Sequence, residues 1–238
     1  MPASSDFNRP EQIKLLMFDI DGTLLFSGGA GKLAMERCLM RFVSELQIVD
    51  IPVHGRTDKA IIADLLNAHS LSATDQIIAD FYEAYLVELD RTIHECQPRL
   101  LPGVRELLSS LVEHVGVEMG ILTGNGRVAT EIKLNYFGLL NFFKFGGYGE
   151  STDDRRQVAR NALQDAQRTL QLSPPECSPW VIGDTVHDVA CARAINAKVI
   201  AVGTGKVCHD ELRQSRPDVF LKDLSCISSF LSAIECAT

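Results

Sequence analysis

The chain has no C-x-x-C pair, no apolar run approaching membrane-spanning length, no internal repeat and no excess of basic residues. Each absence removes a class of function. Seven cysteines, an odd number without paired spacing, offer neither a zinc site nor a dithiol redox motif, and they read as reduced thiols of a cytoplasmic protein. Cys191, within DVACARAI, reads as a small core residue on a helix rather than a nucleophile. A formal net charge of −8 argues against a nucleic-acid or anionic membrane surface, yet leaves room for a small anionic substrate in a local positive site. The opening MPASSDFNRPEQ lacks the basic-then-apolar pattern of a secretory leader. Oligomeric state stays open.

What is present is an alternation. With 238 residues, 46% of them apolar, the chain can build one large core, or a core with a smaller insert. Short apolar runs at 13–20, 117–123, 142–147, 180–184, 198–203 and 218–221 read as strands. Between or after them VRELLSSLVEH, RVATEIKLNYF, RRQVARNALQDAQRTL, HDVACARAI and CISSFLSAI carry helical periodicity. Strands alternating with helices predict an α/β fold, a Rossmann-like parallel sheet with helices on both faces. From about Ser27 to Arg99 the rhythm breaks, and three helical patterns appear with no convincing strand. In the third, Ile77, Ile78, Phe81, Tyr82, Tyr85, Leu86, Leu89 and Ile93 share one broad face, as core rather than ligand contacts. The expected division is a core of residues 1–26 and 99–238 with an all-helical cap domain over 27–98.

In such a sheet, ligands gather beyond the carboxyl ends of the strands, near the point where strand order reverses. The first strand ends in Asp19 and Asp21, followed by Gly22 and Thr23; the second ends in Thr123-Gly124-Asn125; the strand 180–184 ends in Asp184-Thr185, with Asp188 four residues on. Arg155 and Arg156 open the preceding helix. Carboxylates about 5 Å apart repel by roughly 3 kcal/mol per pair at an effective dielectric near 20. Either some are protonated or a hard cation sits among them, and oxygen ligands suit magnesium. Taken singly, Asp184 and Asp188 read as helix caps; taken as a set at strand ends, they read as a site.

These motifs carry a resemblance. Asp19-Ile20-Asp21-Gly22-Thr23 resembles the first motif of the haloacid dehalogenase superfamily, Leu122-Thr123-Gly124-Asn125 the second, and Gly183-Asp184-Thr185-Val186-His187-Asp188 the fourth. The likeness spans nearly the whole chain, including a helical cap between the first and second motifs, and is similar to phosphoglycolate phosphatases. It implies a phosphatase acting on a small phosphorylated metabolite. Asp19 would be the nucleophile, Asp21 the general acid–base, and the Thr123 hydroxyl a phosphoryl contact, with Gly22, Gly124 and Asn125 lining the phosphate site. Magnesium would be held by Asp19, the backbone carbonyl of Asp21 and Asp184, with Asp188 behind them or acting through water.

The third motif departs from the family, which usually places a lysine there. No lysine stands between Lys144 and Lys198. Arg155 aligns best, with Arg156 one step out of register; by chain position Lys144, Lys198, Lys206 and Arg56 are the other cations at hand. In the cap, His54-Gly55-Arg56-Thr57-Asp58 has two readings. Either Arg56 meets a second anionic group of the substrate, or Thr57 caps a helix and Arg56 is solvated. His187 reads as a helix-start residue. The competing functions are a sugar phosphate mutase of the same family and a non-catalytic phosphate-binding module. A dehalogenase is disfavoured, because such relatives replace the aspartate that Asp21 supplies.

Overall fold

Strand β1 (Ile13–Phe18) is flanked on both sides by parallel partners, Val117–Leu122 and Cys177–Gly183. That placement explains its nearly unbroken apolar run, since both of its faces are covered. Its side chains alternate between two cores. Leu16 and Phe18 join one, while Ile13, Leu15 and Met17 join the other. The computed structural model describes residues 12–43, 49 and 51–236. The opening segment read above for a leader lies outside them, apart from Gln12.

After β1 come β2 (Leu25–Phe26), three helices α1 (Ala30–Leu39), α2 (Asp58–Ala68) and α3 (Asp75–Glu95), and β3 (Arg99–Leu100). Then follow α4 (Val104–Val112), β4 (Val117–Leu122), α5 (Arg127–Tyr136), β5 (Phe145–Gly147), α6 (Arg155–Leu170) and β6 (Cys177–Gly183). The chain ends with α7 (Val186–Ala194), β7 (Lys198–Val202), α8 (His209–Gln214), β8 (Val219–Leu221) and α9 (Ile227–Cys236). Six strands form one parallel sheet in the order β5-β4-β1-β6-β7-β8. From β1 the chain first fills the β4 side, then crosses to the β6 side, so the order reverses at β1. The carboxyl end of β1 is therefore the crevice where ligands bind in such sheets. One face is covered by α4 and α9 (Leu107, Leu108, Leu111, Phe230, Ile234), the other by α6 and α7 (Ala159, Ala162, Ala166, Cys191, Ala192). Cys191 is fully buried, as its setting predicts.

The inserted region between β1 and β4 is helical with a core of its own. Met35, Cys38 and Leu39 of α1 and Ile61, Ile62 and Leu66 of α2 pack with Phe81, Tyr85, Leu89 and Ile93 of α3. Two short strands missed by the sequence reading stand where the chain leaves and re-enters this region: β2 and β3 pair antiparallel, Phe26 opposite Arg99. Two-residue strands carry no readable period. The run 142–147 is a strand only from Phe145, because β5 is an edge strand whose partner offers just Gly120–Leu122. Among the described residues no helix is long and apolar enough to cross a membrane.

Candidate active site

Backbone geometry at the end of β1 is set first. Asp19 N–H donates to Ile182 O at 2.9 Å, and Leu24 and Leu25 N–H return to Ile20 O at 2.9 and 3.0 Å, closing a tight turn. Gly22 adopts φ +95°, a region that side chains disfavour, and a Cβ there would collide with the Asp184 carboxylate. Glycine is thus required twice, once by the turn and once by the approach of a second acid.

Two clusters flank this turn. On the β6 side, Asp19 (5% exposed), Asp184 (4%) and Asp188 (0%) each offer a carboxylate oxygen, all three within 4.8 Å of one another. Thr23 Oγ1 donates to Asp184 Oδ1 at 3.1 Å. Asp188 closes a capping box at the start of α7, where its Oδ2 accepts from Thr185 N and Oγ1 at 3.0 and 2.7 Å. Helix-cap and site are one residue, not alternatives. The Arg155 guanidinium, buried at the first turn of α6, reaches Asp188 Oδ1 at 2.7 Å and Asp19 Oδ1 at 3.5 Å. Arg156 is exposed. Burial, then the charges of neighbouring acids, push both the Asp19 and Asp184 carboxyls above their ordinary range, with Arg155 acting the other way. Three carboxylates against one guanidinium leave an excess of negative charge that oxygen-binding cations satisfy.

On the β4 side, Thr123 is fully buried and its N–H donates to Gly147 O at 3.1 Å. Asn125 Nδ2 donates to Asp21 Oδ2 and to Thr123 Oγ1, both at 2.9 Å. Lys133 of α5, 3% exposed, donates from Nζ to Asp21 Oδ2 at 2.5 Å and to Asn125 Oδ1 at 2.7 Å. Burial alone would raise the Asp21 carboxyl, but the charge and hydrogen bond of Lys133, with Asn125, outweigh it and hold the group below the usual carboxylate range.

Lys133 is absent from the cations considered in the sequence. Helical spacing did hold the signal: it shares a buried face with Ala129, Thr130 and Leu134, a place lysine rarely takes unpaired. The other candidate lysines lie elsewhere. Lys144 pairs with Glu118, Lys198 lies over the Trp180 ring, and Lys206 is exposed.

The inserted helices close over this edge. Asp58 N–H donates to Gly124 O at 2.7 Å, and the buried Asp58 carboxylate accepts from Gly126 N at 2.8 Å. Burial pushes that carboxyl up to about 6, with Lys133 opposing. Gly55, at φ +69°, lies so close to His187 that a Cβ would strike the imidazole, which brings this loop down beside α7. Thr57 caps α2 by accepting from Ala60 N at 3.3 Å. Arg56 lines a cleft of about 510 Å³ together with Lys59, Arg155, Arg156 and His187. Its guanidinium is engaged by Asp64 at 2.7 Å and Pro52 O at 3.2 Å.

The profile of the family described as haloacid dehalogenase-like hydrolase matches residues 16–202. A phosphoglycolate phosphatase of Nitrosococcus oceani is 23% identical over 229 residues, covering 93% of this chain and 98% of that protein. A 5′-nucleotidase of Pseudomonas aeruginosa is 25% identical over 219 residues, covering 92% and 95%. Among solved structures, CbbY from Rhodobacter sphaeroides in complex with phosphate superimposes with a TM-score of 0.71 at 18% identity, covering 91% of this chain and 96% of that one. CbbY has also been crystallised, as a mutant, with xylulose-(1,5)bisphosphate.

Proposed function

The chain belongs to the haloacid dehalogenase-like hydrolases, and on that premise we propose that it is a magnesium-dependent phosphatase. It hydrolyses a small phosphomonoester through an aspartyl-phosphate on Asp19. The observation that carries the reading is the buried triad Asp19, Asp184 and Asp188 with Asp21 two residues beyond the nucleophile. The negative excess of that triad and its all-oxygen donors fit magnesium. Asp19, Asp184 and the Asp21 backbone carbonyl would hold the ion, with Asp188 behind them. When bound, the ion supplies positive charge against the phosphoryl oxygens.

In the first step an Asp19 carboxylate oxygen attacks phosphorus, and the bond from phosphorus to the leaving oxygen breaks. Asp21, anionic at rest beside Lys133, takes up the proton that the monoanionic form of the ester brings into the site and passes it to that oxygen. In the second step Asp21 takes a proton from water as the water attacks the same phosphorus, which frees Asp19 and releases inorganic phosphate. Lys133 favours the anionic form of Asp21, the form the second step needs. Arg155 anchors the nucleophile and carries a buried Nε with no hydrogen-bond partner among the described residues, a donor suited to a phosphate oxygen. The helical insert, taken as residues 27–98, covers the site and shapes the cleft for the organic part of the ester. Phosphoglycolate and nucleoside monophosphates, suggested by the names of the relatives, are the first esters to try.

The test is hydrolysis of p-nitrophenyl phosphate with and without magnesium, followed by a panel of phosphorylated metabolites. Magnesium-dependent release of phosphate, reversed by chelation, is expected. Absence of turnover on every ester with magnesium present would favour the non-catalytic reading.

A further inference from the structure

Lys133 is a buried cation whose contacts go beyond its pairing with Asp21. Its ammonium can only donate. Because it donates to Asn125 Oδ1, the amide oxygen must face it and Nδ2 must face the other way. There Nδ2 donates to Asp21 Oδ2 and to Thr123 Oγ1. Thr123 Oγ1 also accepts from the backbone N–H of Asn125 at 3.3 Å. A hydroxyl oxygen has two acceptor positions and one hydrogen. With both positions filled by donors, the Thr123 hydrogen is left to point at a further acceptor, and in the reading above that acceptor is a phosphoryl oxygen.

We propose that Lys133 is a positioning residue of the phosphoryl site. Through the Asn125 amide it sets the direction of the Thr123 hydroxyl hydrogen, and by direct contact it fixes the Asp21 carboxylate. The inference rests on the phosphatase reading. It adds that a residue from the helix after β4, outside all the motifs, orders two of them at once. The chain of contacts is specific: lysine to amide oxygen, amide nitrogen to hydroxyl, hydroxyl hydrogen to substrate. A structural lysine that only neutralised Asp21 would leave the Thr123 hydrogen undirected and would be dispensable for anion contact.

The test compares Lys133→Met, Lys133→Arg, Asn125→Ala and the double variant Lys133→Met/Asn125→Ala. Lys133→Met keeps the aliphatic stem and removes the donors. Turnover should fall about 30-fold or more with KM within about threefold, and Lys133→Arg should recover part of it. Asn125→Ala leaves the Lys133–Asp21 contact in place while it cuts the relay to Thr123 and the Asn125–Asp21 hydrogen bond, so a loss of similar size is expected. The double variant should be no worse than the worse single one, since both break one chain. Asn125→Ala also keeps the inference testable if Lys133→Met fails to fold. Binding of orthovanadate with magnesium, measured by calorimetry, reads anion contact without turnover and should weaken about tenfold or more in each single variant. Unchanged vanadate binding, or Asn125→Ala turnover within threefold of the parent, would overturn the proposal. A parent protein that binds vanadate, with both variants weakened, but hydrolyses no ester would leave the relay standing and remove the phosphatase reading.

Discussion

The two flanks of β1 solve opposite electrostatic problems. Toward β6, Asp19, Asp184 and Asp188 share a single guanidinium, and burial together with mutual repulsion drives Asp19 and Asp184 toward the protonated form. Toward β4, Asp21 meets a lysine and an amide and is held ionised. The first flank is short of positive charge by about the amount a divalent cation carries. The second is closed on itself. A surplus of one sign marks where something is added from solution, whereas a satisfied network marks where the protein fixes a geometry.

The comparison breaks most completely at the residue both flanks serve. Asp19→Asn is expected to abolish phosphate release, because an amide is no nucleophile, and residual turnover above about a thousandth of the parent rate would contradict the covalent step. On the β6 flank, Arg155→Ala should lower turnover about 100-fold, as for loss of one preorganised charge at a site of developing negative charge, with Arg155→Lys recovering part. Arg156→Ala, at an exposed position, serves as the control. If Arg156→Ala were costly and Arg155→Ala harmless, the assignment would be off by one residue. Asp184→Ala should raise the magnesium concentration for half-maximal activity about tenfold or more. Metal dependence equal to the parent would reduce Asp184 to a partner of Thr23.

How much of this was legible beforehand follows from the same contrast. The β6 flank is written in carboxylates at strand ends and in the Arg155–Arg156 pair that opens α6, so spacing brings Asp19, Asp184, Asp188 and that pair to one edge, and it is the family resemblance that favours Arg155 over Arg156. The sheet was legible for a related reason: strands buried on both faces read as apolar runs. The β4 flank was half hidden. Thr123 and Asn125 follow a strand and could be read, but Lys133 sits two turns into a helix whose charged residues look solvated, and only its phase with Ala129 and Thr130 betrays it. Asp58 was hidden as well, because an acid in the first turn of a helix needs no tertiary explanation. β2, β3 and α8 are too short for periodicity to register.

Asp58 gives the smallest effect and carries a sign. Its carboxyl rises from 3.8 to about 6 through burial. The folded chain therefore holds this proton more tightly than the unfolded one. The resulting stabilisation is complete below about pH 4 and lost as pH rises through about 6, leaving a penalty of at most about 3 kcal/mol at higher pH. Asp58→Asn keeps an acceptor for Gly126 N and removes the charge. Its melting temperature should match the parent near pH 3.5 and exceed it by a few degrees at pH 8. A difference independent of pH would show that Asp58 is compensated by Lys133 after all.

Trapping the intermediate shows whether the acid-rich flank makes Asp19 a phosphoryl acceptor. The protein is mixed with magnesium and radiolabelled aryl or metabolite phosphate, quenched in acid within the first turnovers, digested and mapped. A hydroxylamine-labile phosphoryl group is expected on the peptide carrying Asp19, removed in Asp19→Asn and retained longer in Asp21→Asn, which lacks the base for the second step. Steady hydrolysis with no label on that peptide, or label undiminished in Asp19→Asn, would contradict it.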